Sequence, residues 1–315
     1  MSSFLYFYLM KKNIFLASII LFFAGCKATQ KVVTTNNENT VNPDKPIATN
    51  NSLLWQISGN GIAQPSYLYG TIHIISHDDY FLGKNVKRKL QNSNEVIMEI
   101  DLKKMDIGAL AQLSILPEGK FIKDYMSDSD YTILQSFMED SIGIKKSTFE
   151  NAYGKLKPFF IEQLIFFNYL GQDKESYEEN FKKLAEERNI PISGLETYDE
   201  QLKFLEEIPL EDQLKSMVKT IKNYTSETEK LGQLVVYYKA QNLTALSKSF
   251  EEEEDQALNT KLLDKRNSNW IPKIQSAIKN KSCFIAVGAG HLVGANGLIE
   301  LLKKQGYTVE PISIN

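Results

Sequence analysis

The sequence predicts an α/β domain whose central sheet is built from units at both ends of the chain, with a large helical insertion between them. Two observations indicate this arrangement. An aromatic-rich, strand-like run ends in Gly-x-x-His at Gly70–His73, and a run near the other terminus ends in the same pattern at Gly288–His291. Between them, over about residues 102–278, apolar residues recur mostly with the helical period. Each terminal unit is expected to run strand, Gly-x-x-His, helix, strand.

The first 50 or so residues are expected to lie outside the folded domain. Two lysines precede a short apolar run that ends at Cys26, and this pattern resembles the lipidation site of bacterial lipoproteins. We expect residues 1–25 to be a signal peptide, although an ordinary secretory signal with a chance cysteine is the alternative. Residues 26–51 are polar and rich in Thr and Asn, which predicts a disordered tether. Residues 52–315 then form the domain.

These features predict an exported protein that is anchored by lipid to a membrane of the bacterial cell envelope. Lys27 does not resemble the signal that retains lipoproteins in the inner membrane, which favours the outer membrane. Met1 and Met10 are both suitable starts for such a signal. With Cys26 lipidated, Cys283 has no partner for a disulfide, and its apolar surroundings predict a buried thiol.

The composition argues against one class of function. The chain of 315 residues is 43% hydrophobic and 11% aromatic, which is enough to bury a core. Its formal net charge is −3, and no dense Lys/Arg patch is interleaved with aromatic residues. Nucleic-acid binding is therefore not expected. The oligomeric state is left open.

Six strands are expected from short apolar runs bounded by glycine, proline or asparagine. The first two strands are predicted to form a hairpin. The fourth interrupts the helical insertion, and the last follows a helix that stops at Gly306. They cover Leu53–Ser58, Ser66–Ile72, Val96–Ile100, Ile190–Leu195, Ser282–Val287 and Tyr307–Ile312.

Ten helices are expected from the 3.6-residue period. Two belong to the terminal units, Gly83–Gln91 and Leu292–Gln305. The other eight lie in the insertion, which we expect to form a lid or side lobe. They are Asp128–Asp140, Pro158–Leu170, Tyr177–Arg188, Asp199–Glu206, Leu210–Tyr224, Glu227–Ala240, Leu243–Phe250 and Asp255–Ile278.

Three side chains are predicted to meet at one edge of the sheet. His73, Glu99 and His291 fall at the carboxyl ends of predicted strands, where open sheets of parallel strands bind ligands. Glu99 interrupts an apolar run, and a carboxylate there is costly unless it is paired or bound to a metal. Two imidazoles and a carboxylate are a common metal-ligand set that leaves a position for water. Gly70 and Gly288 would let the backbone turn sharply or approach a ligand.

Each candidate also has a structural interpretation, which the residues alone leave open. A histidine at the end of a strand is often a hydrogen-bonded residue of the core. Arg266, followed by Asn267, is either a surface charge or a partner for a carboxylate or an oxyanion. Glu196 either caps the helix that follows it or reaches the site.

At these residues the sequence resembles the TraB/GumN family, which includes the Tiki-type proteins. The resemblance covers about residues 53–312 and rests on an ordered series of short motifs. These are Tyr67–His73, Glu99 in its apolar strand, Gly194–Thr197 followed by Gln201, Arg266–Asn267 before Trp270, and Val287–Leu292 leading through Gly294 and Gly297 to Gly306–Val309.

The resemblance implies a fold like that of the erythromycin esterases and the haem-binding ChaN proteins. Because Tiki-type members look like divalent-metal-dependent proteases, it also implies a metal-dependent hydrolase, a peptidase, acting through a metal-activated water. His73, His291 and Glu99 would bind Mn²⁺, Co²⁺ or Zn²⁺. Glu99 would be either a ligand or the general base, and Arg266 would bind an oxyanion or a substrate carboxylate. The substrate would be a peptide or a protein.

Two other functions are consistent with the sequence. A metal-independent, esterase-like hydrolase would use one histidine as a general base. A lipoprotein without catalytic activity would instead capture haem or another envelope ligand, with histidines as axial ligands. The metal content of the purified protein separates the first alternative from the metallopeptidase.

Overall fold

The structure is a computed structural model, and it describes residues 51–101, 107–251 and 263–315. The expected signal peptide, Cys26 and nearly all of the tether lie outside the described residues, as does the first part of the predicted helix Asp255–Ile278. Within the described ranges, none of the helices combines the length and the apolar character needed to cross a membrane.

The described residues form a mixed α/β fold around a six-stranded sheet, which confirms the predicted α/β class. The strand order in this sheet is β6-β4-β7-β2-β1-β8, and β3 pairs with β5 in a separate two-stranded sheet. The strands are β1 (Leu54–Gly59), β2 (Ser66–Thr71), β3 (Ile74–Ser76), β4 (Glu95–Ile100), β5 (Lys174–Ser176), β6 (Ile192–Glu196), β7 (Cys283–Gly288) and β8 (Tyr307–Ile312).

Helices cover both faces of the sheet and build a lobe beside it. The helices are α1 (Lys84–Gln91), α2 (Ile107–Leu113), α3 (Asp128–Asp140), α4 (Lys146–Thr148), α5 (Pro158–Tyr169), α6 (Tyr177–Glu186), α7 (Tyr198–Glu206), α8 (Leu210–Lys222), α9 (Tyr224–Lys239), α10 (Leu243–Glu251), α11 (Lys265–Ile278) and α12 (Leu298–Lys304). Short 3₁₀ turns occupy His77–Asp79, Ile122–Tyr125 and Ala289–His291, and Phe149–Tyr153 forms a π-helical turn.

Four neighbouring strands of the sheet run parallel, and this alignment positions the candidate site. β7 pairs in parallel with both β2 and β4, and β4 pairs in parallel with β6. Every residue of β2 and of β7 is buried, as expected for strands covered on both faces. The carboxyl ends of these strands therefore meet at one edge. β1 and β8 close the opposite side as antiparallel strands, and β1 and β2 form the predicted hairpin.

The arrangement of two terminal units around a helical insertion is not confirmed in its details. β6 comes from within residues 102–278, yet it pairs with β4 in the main sheet. Helix α6 also packs against α1 and β4. A second apolar core, which includes Leu134, Ile161 and Met217, joins α3, α5 and α8 into a lobe. The segment thus divides between the sheet and the lobe.

The predicted helix Leu292–Gln305 begins six residues later than expected, at Leu298. Gly294 adopts φ +80°, a left-handed conformation that ends helical geometry after the 3₁₀ turn. At Gly297, a Cβ atom would collide with the carbonyl oxygens of Leu292 and Val293, so this tight turn requires glycine. Apolar periodicity across the turn could not show either constraint. Cys283 is fully buried, as expected, and burial raises the pKa of its thiol to about 12.

A buried carboxyl group in the lobe predicts a dependence of stability on pH. Glu162 of α5 accepts hydrogen bonds from Thr220 at 2.6 Å and Ser216 at 3.2 Å, but burial raises its pKa to about 7 from the ordinary 4.5. The folded state therefore binds the proton more tightly than the unfolded state. The contribution of protonated Glu162 to the free energy of unfolding is complete below pH 4.5 and is lost as pH rises through 7.

We expect Glu162→Gln to stabilise the protein by about 3 kcal/mol at pH 8 and to leave it nearly unchanged at pH 4. Urea unfolding at both pH values measures the difference. Glu229→Gln, at an exposed position of α9, is the matched control and should show no such dependence. An equal effect of Glu162→Gln at both pH values would contradict the expectation.

Candidate functional site

His73 enters the site from a strained turn that directly follows β2. Its φ of +56° is unusual for a residue other than glycine, and its backbone N–H donates to Thr71 Oγ1 at 3.2 Å. Its carbonyl accepts from the N–H of Tyr177 at 2.9 Å, which ties the turn to α6. At Gly70, a Cβ atom would lie 3.1 Å from Ala289 Cα and 2.7 Å from Leu292 Cδ1, so glycine lets the two Gly-x-x-His segments pack together.

One ring nitrogen of His73 is held by a carboxylate that the sequence analysis missed. Nδ1 donates to Glu178 Oε1 at 2.8 Å, and Thr71 Oγ1 donates to the same oxygen at 2.9 Å. Nε2 is buried without a hydrogen-bond partner among the described residues, and it faces Glu99 Oε1 at 3.6 Å. Burial acts to lower the pKa of His73, but Glu178 and Glu99 raise it to about 9.

We expect Glu178→Gln to lower the pKa of His73, because the substitution removes a negative charge and keeps the shape of the side chain. NMR titration of the His73 ring in the metal-free protein measures the change. Glu179→Gln, at the next residue, removes a carboxylate that pairs with Lys182 and is the matched control. If the pKa of His73 is unchanged in folded Glu178→Gln, the Glu178 carboxylate does not determine that pKa.

Glu99 lies between the two histidines, with both of its oxygens engaged. Oε1 accepts from the backbone N–H of Gly288 at 2.7 Å, and Oε2 accepts from Arg266 Nη2 at 2.6 Å. Burial acts to raise the pKa of Glu99, but Arg266, His291 and His73 together hold it well below the usual range. Glu99 is therefore ionised. Gly288 has an ordinary φ of −54°, and this position contributes a backbone N–H donor to the site.

His291 is fully buried, and its hydrogen bonds indicate a single neutral tautomer. Asn267 Nδ2 donates to the carbonyls of His291 and Asn296, which leaves its Oδ1 to accept from His291 Nδ1 at 2.7 Å. His291 Nε2 then accepts from Arg266 Nη1 at 3.0 Å. Burial lowers the pKa of His291 to about 3, which keeps the ring neutral.

Arg266 connects the parts of the site and is not a surface charge, because its side chain is fully buried. Its Nε and Nη2 donate to Glu196 Oε1 at 3.0 and 2.6 Å, and its guanidinium lies 4.7 Å from the ring centroid of Trp270. Trp270 Nε1 donates to Glu196 at 3.1 Å. Glu196 therefore reaches the site instead of capping the next helix.

The structure thus brings together all the side chains that the sequence analysis singled out around the sheet edge. His73, Glu99 and His291 lie at the ends of β2, β4 and β7, Glu196 ends β6, and α11 supplies Arg266 and Asn267. Glu178 was missed because an acidic residue in the first turn of a helix has an ordinary explanation, a favourable interaction with the helix dipole. Its pairing with His73 spans 105 residues.

The comparisons with known proteins are consistent with this series of residues. A family model described as the TraB/PrgY/gumN family matches residues 53–311. The chain belongs to this family. The matched range contains every site residue described above.

The curated relatives include proteins named as metalloproteases. Metalloprotease TIKI2 of Danio rerio is 23% identical over 336 residues, which cover 87% of this chain and 64% of that protein. Metalloprotease TIKI1 of the same organism is 24% identical, with coverage of 82% and 63%. The chain thus spans less than two thirds of the length of these relatives. Uncharacterized protein YbaP of Shigella flexneri is 24% identical, with coverage of 76% and 88%. No solved structure matches the chain.

The names of these TraB-family relatives imply a metal, and the residues present can be tested against one. Glu99 Oε1 lies 3.6 Å from His73 Nε2 and 3.7 Å from His291 Nε2. Adjacent ligands of a tetrahedral zinc ion lie about 3.4 Å apart, so the donor types and these two distances are close to those of a zinc site. However, the described residues contain no group of three or more His, Cys, Asp or Glu side chains arranged to hold a metal ion. Arg266 donates a hydrogen bond to the lone pair of His291 Nε2. His291 could bind a metal ion through Nε2 only after this hydrogen bond is broken.

Proposed function

We propose that this TraB-family protein is a metal-dependent hydrolase of peptide bonds. The observation that carries the proposal is the convergence of His73 Nε2 and His291 Nε2 on one oxygen of Glu99, with His73 Nε2 lacking a hydrogen bond among the described residues. A buried polar atom without a partner is costly, and such atoms are often reserved for a ligand. The names of the TIKI relatives support a metalloprotease over other hydrolases.

The three side chains would hold a divalent ion, which supplies a water of lowered pKa and polarises a substrate carbonyl. The chain's own residues prepare this centre. Glu178 orients His73 through Nδ1, so that Nε2 faces the centre, and Asn267 does the same for His291. Glu99 turns Oε1 to both imidazoles, an arrangement that favours a ligand over a general base. In the metal-free site, Arg266 holds the other oxygen, Oε2.

The proposal places the enzyme at the bacterial envelope, held to the membrane by lipid on Cys26, with a peptide or protein as its substrate. The Cys26 motif in the sequence supports the anchor. Labelling of the expressed protein with a radioactive fatty acid, with Cys26→Ser as the control, tests it. Fractionation of the envelope then distinguishes the outer membrane from the inner membrane.

The decisive test is metal content. We would dialyse Cys26→Ser protein, and the same protein with His73→Ala or His291→Ala, against Mn²⁺, Co²⁺ and Zn²⁺, and measure bound metal by elemental analysis. His77→Ala is the matched control, because His77 pairs with Glu175 in an exposed position. We expect near-stoichiometric metal in the parent and the control, and loss of metal in the two site variants. A parent that binds no metal would contradict the proposal.

A second candidate is the metal-independent hydrolase, and one pairing favours it. The buried contact between His73 and Glu178 resembles the carboxylate–histidine pairs that hold a general base in position. The raised pKa of His73 argues against it, since an imidazole that carries a proton at neutral pH cannot accept one, whereas a divalent ion would displace that proton on binding. Activity that persists in rigorously metal-free protein would select this candidate. A saturable change in haem absorbance, without hydrolysis, would instead select the haem-binding lipoprotein.

A further inference from the structure

Arg266 places a positive charge at the point where a divalent ion would bind. Its Nη1 donates to His291 Nε2 at 3.0 Å, and its Nη2 donates to Glu99 Oε2 at 2.6 Å. Two of the three side chains proposed as ligands therefore already interact with a cation from the chain itself. The site is almost fully buried, so charges of like sign repel strongly there.

The anchor of Arg266 does not depend on those two contacts. On the other side of the guanidinium, Nε and Nη2 donate to Glu196, and the guanidinium lies 4.7 Å from the Trp270 ring centroid. Trp270 also donates to Glu196, which keeps the carboxylate in place. The arginine can therefore release His291 and Glu99 without losing its ion pair with Glu196 or leaving its buried position.

We propose that Arg266 is an internal competitor for the metal site, and that Glu196 and Trp270 retain the arginine when the ion is bound. This inference rests on the proposed function. In the metal-free protein the guanidinium interacts with Glu99, His291 and Glu196. In the metal-bound protein it releases Glu99 and His291 and keeps its contact with Glu196. A site that is occupied by its own cation for part of the time binds an added ion more weakly, in proportion to the fraction that is open.

The competition makes opposite predictions for two variants. Glu196→Gln removes the anchor and leaves Arg266 to interact with Glu99 and His291, so we expect weaker Co²⁺ binding. The double variant Arg266→Met/Glu196→Gln removes one charge of each sign and therefore leaves the net charge of the site unchanged. In this variant His291 Nε2 is released, and we expect Co²⁺ to bind about 10-fold more tightly or better.

The test is a titration with Co²⁺, followed by its visible absorption, of the parent, the two variants and Arg88→Met. Arg88 is exposed on α1 and controls for the loss of a positive charge from the surface. Circular dichroism and thermal melting establish that each protein is folded. In parallel, Zn²⁺ is added to the ¹⁵N-labelled parent, where saturation should shift the Arg266 Nη–H signals, because Nη1 and Nη2 make the contacts with His291 and Glu99 that are released.

The outcomes separate this inference from the function on which it rests. Weaker binding by Glu196→Gln together with tighter binding by the double variant supports the competition. If the parent binds Co²⁺ and the double variant binds it equally or more weakly, the proposed competition by Arg266 is wrong. The proposed metal site is then still supported. An Arg266 signal that stays unchanged at Zn²⁺ saturation also overturns the competition. If neither the parent nor the double variant binds Co²⁺, the metal site is wrong and the competition with it.

Discussion

Replacement of Glu99 by glutamine is expected to remove the bound metal and to reduce peptide hydrolysis by about a thousandfold or more. The loss of a residue behind a metal ligand costs about 10–100-fold, and the loss of a ligand itself should cost more. Glutamine keeps the size of the side chain but removes the negative charge that lies between the two histidines. Elemental analysis and a peptide-cleavage assay measure the two effects.

The same substitution at the other end of β4 provides the control. Glu95 pairs with Lys281 at 2.6 Å and lies away from the site, at the start of the strand. We expect Glu95→Gln to keep its metal and its hydrolysis within about twofold, since a partly exposed ion pair contributes little. Full metal and full activity in folded Glu99→Gln would show that the centre has another role.

The largest expected effect on stability follows from Arg266→Ala. The substitution leaves Glu99 and Glu196 buried without the guanidinium that both carboxylates contact at 2.6 Å. Removal of one partner from a buried ion pair costs about 3–5 kcal/mol, because the remaining charge stays desolvated. We expect the free energy of unfolding in urea to fall by that amount at pH 7 in the metal-free protein.

Two comparisons make this expectation specific. Arg88→Ala removes an exposed arginine and should change the free energy of unfolding by less than about 0.5 kcal/mol. Addition of a divalent ion should recover part of the stability of Arg266→Ala, since the ion supplies the missing positive charge and binds the folded state. A loss below about 1 kcal/mol in metal-free Arg266→Ala would mean that the carboxylates find other partners or become protonated.

Local patterns in the sequence were sufficient for most elements of the fold. Helix α3 has the bounds expected from its apolar period, and β8 has those expected from its alternation. The helix expected from Leu292 was wrong at its start, because the turn at Gly294 and Gly297 depends on backbone contacts. The short strands β3 and β5 were also missed, since three-residue strands carry too little pattern.

The sequence by itself determined which chemical groups are available: two Gly-x-x-His turns, one carboxylate in an apolar strand, and an arginine beside an asparagine. It also determined that strand ends would position them. Only the tertiary structure decided how these groups are paired. His73 pairs with Glu178, and Arg266 lies between Glu99 and Glu196. Such partners come from distant segments, and the charge of a buried group depends on the side chains that surround it and not on its neighbours along the chain.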